Sequence, residues 1–234
     1  KGEEKGTEMT ETTLEQSGYV STGMPGLESI LRNGIPDLSL NIVAGPPGSG
    51  KTLLAQQFMV HNASLGKKIL YLTAISDPPS KILRYLEKFT FFDASSVGNN
   101  VVYFEMAEIF RRKKIKEALT AIEGQIHEHQ PAIVIMDGMK TIFNIVKDPV
   151  DKSLLAFDLC ACFNASGITS FLLGEYTYEE MERLPVFSVT DGVIYLHYQR
   201  DGLDYHRYVD VVKMRGETGF SGLHPFIVND DGLT

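Results

Sequence analysis

The chain has 234 residues, 43% of them apolar, which is enough to bury one sizeable core without a second lobe. Its 30 acidic and 22 basic side chains leave a formal net charge of −8, which argues against a globally basic nucleic-acid surface. No apolar run reaches the ~20 residues that cross a bilayer, and the amino end lacks a signal-peptide pattern, so a soluble, cytoplasmic protein with no membrane partner is expected.

The first stretch, residues 1–17, is rich in Glu, Thr, Gly and Lys and nearly free of large apolar residues. It cannot offset its ordering entropy and is expected to be a flexible tail or linker, with a single folded domain over 18–234. Order is expected to begin near Tyr19. Pro25 to Leu31 reads as a short helix closed by Asn33-Gly34-Ile35-Pro36. Leu38 to Ala44 then reads as a buried strand, and it runs into Gly45-Pro46-Pro47-Gly48-Ser49-Gly50-Lys51-Thr52, a complete G-x-x-x-x-G-K-[ST] phosphate loop. A helical pattern follows from Leu53. This strand-loop-helix context separates a working phosphate loop from a glycine-rich turn. The glycines let backbone N–H groups converge on a phosphate, and the helix N-terminus adds its positive dipole end. Lys51 is placed to reach the β- and γ-phosphates, and the Thr52 hydroxyl to meet Mg²⁺.

Further along, Lys67 to Ala74 is of strand length and apolar. Pro78-Pro79-Ser80 opens a helix to about Lys88, and Val101 to Phe104 is another strand. Ile115, Leu119, Ile122 and Ile126 mark one face of a helix over about 109–127. Ala132 to Met136 is a continuous apolar strand ending in Asp137. A helix over about 152–164 leads to the strand Thr169 to Leu173. Alternating strands and helices imply an α/β fold with a mainly parallel twisted sheet and helices on both faces. Past Asp191 the runs Val193 to Tyr198 and Tyr205 to Val212 flank Asp201-Gly202, the signal for an antiparallel hairpin. Pro225 to Val228 suggests one more strand.

Cys160 and Cys162, the two cysteines, sit two apart in a helical pattern and so point away from each other. They read as small core residues and form neither a disulfide nor a metal site. Arg111-Arg112-Lys113-Lys114 with Lys116 is a basic run at a helix start, best accounted for as a solvated face.

A phosphate loop needs a carboxylate at the end of a neighbouring strand to anchor the waters of its Mg²⁺, and Asp137 fits that role. Here the chain resembles a KaiC-type ATPase domain of the RecA/DnaB branch of P-loop proteins, from about Tyr19 to Gly232. The resemblance is carried by Ser21-Thr22-Gly23-Met24-Pro25-Gly26-Leu27, the phosphate loop, Ile135-Met136-Asp137-Gly138, and Val212-Lys213-Met214-Arg215-Gly216 ahead of Pro225-Phe226. It implies a RecA-like fold, ATP and Mg²⁺ as cofactors, and a homo-oligomer, commonly a six-membered ring, with ATP at the subunit interfaces. It also implies that Lys213 and Arg215 reach a neighbour's triphosphate.

The chain departs from that pattern at one point. The family usually places two adjacent glutamates after the strand that follows the P-loop helix, and anchoring on Pro78 puts Ile75 and Ser76 there. Neither can orient water as a base does, a contribution of ~10²- to 10⁴-fold. Asp77 and Glu175 are the substitute candidates, Asp77 as base and Glu175 chiefly as a γ-phosphate sensor. Some relatives phosphorylate two hydroxyl residues ahead of the hairpin, where this chain has Phe187 and Ser188, so one acceptor remains. Tyr176, Tyr178 and Phe220 are candidates for a base pocket, although ordinary packing accounts for each. The expectation is a Mg-ATP-binding regulatory domain with slow or absent hydrolysis and an unidentified protein partner. The alternatives are an active ATPase using Asp77 or Glu175 and a recombinase-like DNA motor, which the charge disfavours.

Overall fold

The computed structural model of the chain describes residues 18–74, 79–106, 108–109, 115–146, 148–218 and 222–234. In chain order the described elements are β1 (Tyr19–Val20), α1 (Pro25–Leu31), β2 (Ile35–Pro36), β3 (Leu40–Ala44), α2 (Lys51–Ser64) and β4 (Ile69–Thr73). They continue with α3 (Pro79–Leu86), α4 (Ala94–Asn100), β5 (Val101–Glu105), α5 (Ile115–His129), β6 (Ile133–Asp137), α6 (Met139–Ile145) and α7 (Pro149–Ala165). Last come β7 (Thr169–Gly174), α8 (Tyr178–Arg183), α9 (Pro185–Val189), β8 (Gly192–Asp201), β9 (Asp204–Met214), β10 (His224–Phe226), β11 (Val228–Asn229) and β12 (Gly232–Leu233). Eight strands form one sheet in the order β10-β9-β8-β3-β7-β6-β4-β5. From β8 to β5 all neighbours are parallel, while β8-β9 and β9-β10 are antiparallel. The α/β class, the parallel core and the closing hairpin expected from the sequence are all present.

The central strands are mostly apolar because both faces of the sheet are covered, with Asn41 on β3 and Thr169 and Ser170 on β7 as buried polar exceptions. Ile42, Leu70, Leu72, Val134, Met136 and Leu172 face one way and pack against α5, α6 and α7. Val43, Tyr71, Ile135, Phe171 and Ile194 face the other and meet α1 to α4. Helix α2 buries Leu54, Phe58, Met59 and Val60 among others, and the chain end closes over it. The Gln57 side chain accepts from Leu233 N at 2.8 Å and donates to the Asp231 carbonyl at 3.4 Å. Cys160 and Cys162 are free and buried, as core residues should be.

Several local expectations shift. The first core strand begins at Leu40, not Leu38, because Leu38 takes a left-handed φ of 56° with its amide held by the Asp37 carboxylate. Helix α7 starts at Pro149, where Asp148 caps the Val150 and Asp151 amides. The expected strand from Pro225 to Val228 divides at Ile227 into β10 and β11. Helices α4, α6, α8 and α9 carry too few apolar repeats to stand out. Residues 1–17 and the basic run Arg111 to Lys114 lie outside the described residues.

Candidate functional site: a phosphate-loop cavity at the strand ends

Parallel α/β sheets place their ligand crevice beyond the carboxyl ends of the strands. Here a cavity of about 590 Å³ opens at the ends of β3, β6 and β7. Its walls include Gly48, Gly50, Lys51 and Thr52 from the loop and the start of α2, Asp137 and Gly138 from the end of β6, and Glu175 after β7. Gly45 and Gly50 turn the loop at φ 150° and 106°, and a Cβ on Gly45 would lie 2.3 Å from the Leu196 carbonyl oxygen. Helix α2 begins without a capping side chain, which leaves its first N–H groups for an anion. The Ser49 hydroxyl is buried in the loop and, among the described residues, has no hydrogen-bond partner.

The polar contacts converge on one carboxylate. Thr52 Oγ1 donates to Asp137 Oδ2 at 2.9 Å, and the Tyr71 hydroxyl donates to the same oxygen at 3.0 Å. Burial pushes the Asp137 carboxyl above the usual range, and the hydrogen bonds from Thr52 and Tyr71 and the nearby Lys51 charge only partly offset it. Lys51 is itself buried and donates to the Pro46 carbonyl at 2.9 Å. That burial lowers its pKa, with the Glu175 and Asp137 charges pulling it back up. The site therefore stores a partly desolvated cation beside a partly desolvated carboxylate. A hydroxyl at the start of α2 and a carboxylate at the end of β6, at hydrogen-bond distance from each other, are the groups that would hold a Mg²⁺, Thr52 and Asp137 supplying its oxygen partners.

The raised Asp137 pKa has a sign that can be tested. In the pH window between the unfolded and folded pKa values the folded chain keeps a proton that the unfolded chain has lost, so stability falls as pH rises through the folded value. Above the folded value the ionised carboxylate thus costs the nucleotide-free fold. Asp137→Asn keeps an acceptor for Thr52 and Tyr71 and should raise stability by about 1 kcal/mol, or roughly 2–4 °C in Tm for a chain of this size. The same change should abolish any Mg²⁺ dependence of nucleotide binding. Thermal melts at pH 7 and titrations with and without Mg²⁺ read both effects.

Three further residues line the cavity that the sequence pattern does not single out. Arg207 on β9 reaches the loop apex, where it donates to the Gly48 carbonyl at 3.3 Å and lies 4.5 Å over the Tyr198 ring. Lys140 and Asn144 come from α6, a helix with no sequence signal beyond its place after Asp137. The hairpin register brings Arg207 there, and register is invisible before the sheet is assembled.

Lys213 and Arg215 are brought together, but away from this cavity. Lys213 pairs with Val193, which pairs with Ile42, and Arg215 lies beyond Met214 at the Gly192 and Asn41 level. They therefore sit toward the amino end of β3, whereas the loop leaves its carboxyl end, about 7–14 Å further along the strand. Both converge on α9. Lys213 Nζ lies 2.9 Å and Arg215 Nη2 3.3 Å from the Ser188 carbonyl oxygen, and Arg215 also pairs with Asp191 at 3.2 Å. Ser188 is exposed and its hydroxyl donates to the Pro185 carbonyl at 2.7 Å. Tyr176 is buried edge-on to Phe187, and Tyr178 packs edge-on to Tyr195, so both serve packing. Ile75, Ser76, Asp77 and Phe220 lie outside the described residues. Among the described residues no helix is long and apolar enough to cross a membrane, and no cluster of three or more His, Cys, Asp or Glu residues could hold a metal by itself.

A phosphate loop at the end of β3, a carboxylate two strands away on β6 and an intervening β7 define a RecA-type P-loop nucleotide-binding fold. The family profile described as "ATPase: KaiC" matches residues 20–234. The chain belongs to the KaiC ATPase family. It is 27% identical over 231 residues to a UPF0273 protein of Thermotoga maritima, covering 92% of this chain and 94% of that one. A circadian clock oscillator protein KaiC of Rippkaea orientalis is 24% identical over 234 residues, but the match spans only 45% of that longer protein. Among solved structures, a KaiC-like protein from the hyperthermophilic archaeon Pyrococcus horikoshii OT3 superposes with a TM-score of 0.80 at 20% identity, covering 92% of this chain and 97% of that one. The chain is accordingly a nucleotide-binding KaiC-like domain.

Proposed function

We propose that this is a regulatory domain that binds Mg-ATP, holds it between subunits of a cytoplasmic homo-oligomer, and hydrolyses it slowly or not at all. The observation that carries binding is the 2.9 Å contact between Thr52 and Asp137 at the mouth of a complete phosphate loop. In this reading Lys51 leaves the Pro46 carbonyl for the β- and γ-phosphates, and the α2 amides take the β-phosphate. Thr52 and Asp137 would hold Mg²⁺, which supplies charge neutralisation between phosphate oxygens.

Slow turnover follows from the residues at 75 and 76. Ile75 cannot accept a proton and Ser76 is a poor base at neutral pH, so the water-orienting role has no natural holder there. A second reading, an active ATPase, is favoured by Glu175, which lines the cavity and interacts electrostatically with Lys51 and Asp137. It predicts turnover that Glu175→Gln removes while binding persists. Asp77, the other candidate, makes the same prediction through Asp77→Ala.

Sharing of nucleotide between subunits is supported by the place of Lys213 and Arg215. They cannot reach their own chain's cavity, yet they form a paired cationic tip of the kind that stabilises a neighbour's triphosphate. Assembly should then depend on nucleotide by mass action. Light scattering should show a larger assembly in Mg-ATP than in its absence, and Arg215→Ala should reduce the ATP-dependent fraction at least tenfold while leaving the subunit folded. A mass that ignores Mg-ATP contradicts this part.

A further inference from the structure

Lys140 follows Asp137 by three residues and lines the same cavity as Lys51 and Thr52. Its ammonium is held by Glu180 of α8, at 2.8 and 3.0 Å from the two carboxylate oxygens. It also lies 5.2 Å over the ring of Tyr176. Glu180 serves two partners, because one of its oxygens accepts from Thr177 N and closes the capping box of α8. The hydrogen bond from Lys140 is the first cause that holds the Glu180 carboxyl below its usual range, ahead of the Thr177 amide.

We propose that Lys140 is a second phosphate-binding cation, which exchanges Glu180 for the terminal phosphate of ATP and so reports the triphosphate to α8 and α9. The inference rests on the reading that the cavity takes Mg-ATP. The pair is poised for exchange. The Lys140 and Glu180 side chains keep 34% and 39% of their exposure, so the ion pair is solvent-screened and weakly held, whereas a triphosphate carries several charges inside a partly dry cavity. The cavity also needs the charge. Two carboxylates, Asp137 and Glu175, line it, and Lys51 is the only cation that the phosphate loop supplies. Arg207 lies at the loop apex by Gly48, while Lys140 enters from the Asp137 side, where the terminal phosphate would meet Thr52 and its metal.

The consequence passes through packed groups rather than open space. Tyr176, under Lys140, is edge-on to Phe187 of α9 at 5.3 Å. The carbonyls of Phe187 and Ser188 accept from Lys213, and that of Ser188 also accepts from Arg215. Release of Glu180 therefore acts on the element that holds the two cations at the other end of the sheet. ADP lacks the terminal phosphate and should leave the Lys140 to Glu180 pair closed.

Titration calorimetry with Mg-ATP and Mg-ADP on the full chain tests this in three variants. Lys140→Met should weaken Mg-ATP about tenfold and change Mg-ADP by less than about twofold. Lys140→Arg should keep most of the ATP preference, and Glu180→Gln, which retains a capping residue at that position, should strengthen Mg-ATP several-fold by removing the competing anion. Equal losses for both nucleotides in Lys140→Met, or no change for either, would overturn the proposal and leave Lys140 as a pin for α8. Failure of the unmodified chain to bind either nucleotide would instead overturn the underlying reading of the cavity, and this proposal with it.

Discussion

Lys51→Ala is expected to weaken Mg-ATP binding by ~10²- to 10³-fold, since one charged donor shared between two phosphate oxygens contributes about 1.5–3 kcal/mol per bond. The ammonium is buried, and burial already lowers its pKa. Its partner in the nucleotide-free chain is a single loop carbonyl, that of Pro46. Such a cation gains more from a phosphate than an exposed lysine would, because its desolvation has already occurred in the fold. Removing it leaves the Pro46 carbonyl with the longer 3.3 Å bond from the Ser49 amide, so a Tm change of a few degrees is also expected. The two effects separate cleanly in a fluorescent-nucleotide titration and a melt. A loss below about tenfold in affinity, with the fold intact, would mean that the loop does not hold the nucleotide through Lys51.

The largest effect on stability is expected at a residue with no chemistry of its own. Gly192 opens β8 and pairs with Met214 on one side and Asn41 on the other. A Cβ there would lie 2.0 Å from Asn41 Oδ1 and 3.0 Å from the Met214 sulfur. Asn41 is fully buried, and its amide donates to the Ser39 hydroxyl at 2.8 Å and more weakly to the Ser39 and Ser170 carbonyls. Gly192→Ala must therefore expel a buried amide from the centre of the sheet, adding unsatisfied polar groups to the overpacking. A cost of about 3 kcal/mol or more is expected, or roughly 6–12 °C in Tm. The double variant Gly192→Ala with Asn41→Ala should be less destabilised than the sum of the single changes by about 2 kcal/mol. Simple additivity would contradict the steric account.

Much of the fold is visible in the sequence because the parallel sheet demands it. Runs such as Ile133 to Met136 are apolar at every position only when both faces are covered, and they mark β3, β4, β6 and β7 with little error. The phosphate loop is equally legible, since its spacing is set by the ligand rather than by the core. The short helices are not. Helix α4 has one buried apolar residue, Val97, and it is fixed by the Asp93 cap and by packing on α2, which only the assembled structure supplies.

The site divides in the same way. Lys51, Thr52 and Asp137 can be read from spacing because strand, loop and strand end place them. Arg207 and Lys140 cannot, because one depends on hairpin register and the other on a helix whose pattern is weak. The pairing of Lys213 with Arg215 looks like a strand with both cations on one side. In the structure Arg215 lies past the end of β9, and the two meet because α9 presents the Ser188 carbonyl to both.

The measurement that bears most directly on the account is the fate of the bound nucleotide. Excess protein is incubated with Mg-ATP, the complex is separated rapidly from free nucleotide, and what remains bound is identified by chromatography over hours. Retained ATP is the predicted result, with Ile75 and Ser76 standing where the water-orienting acids would be. Progressive conversion of the bound ATP to ADP over the same hours would contradict it and place the chemistry on Glu175 or Asp77.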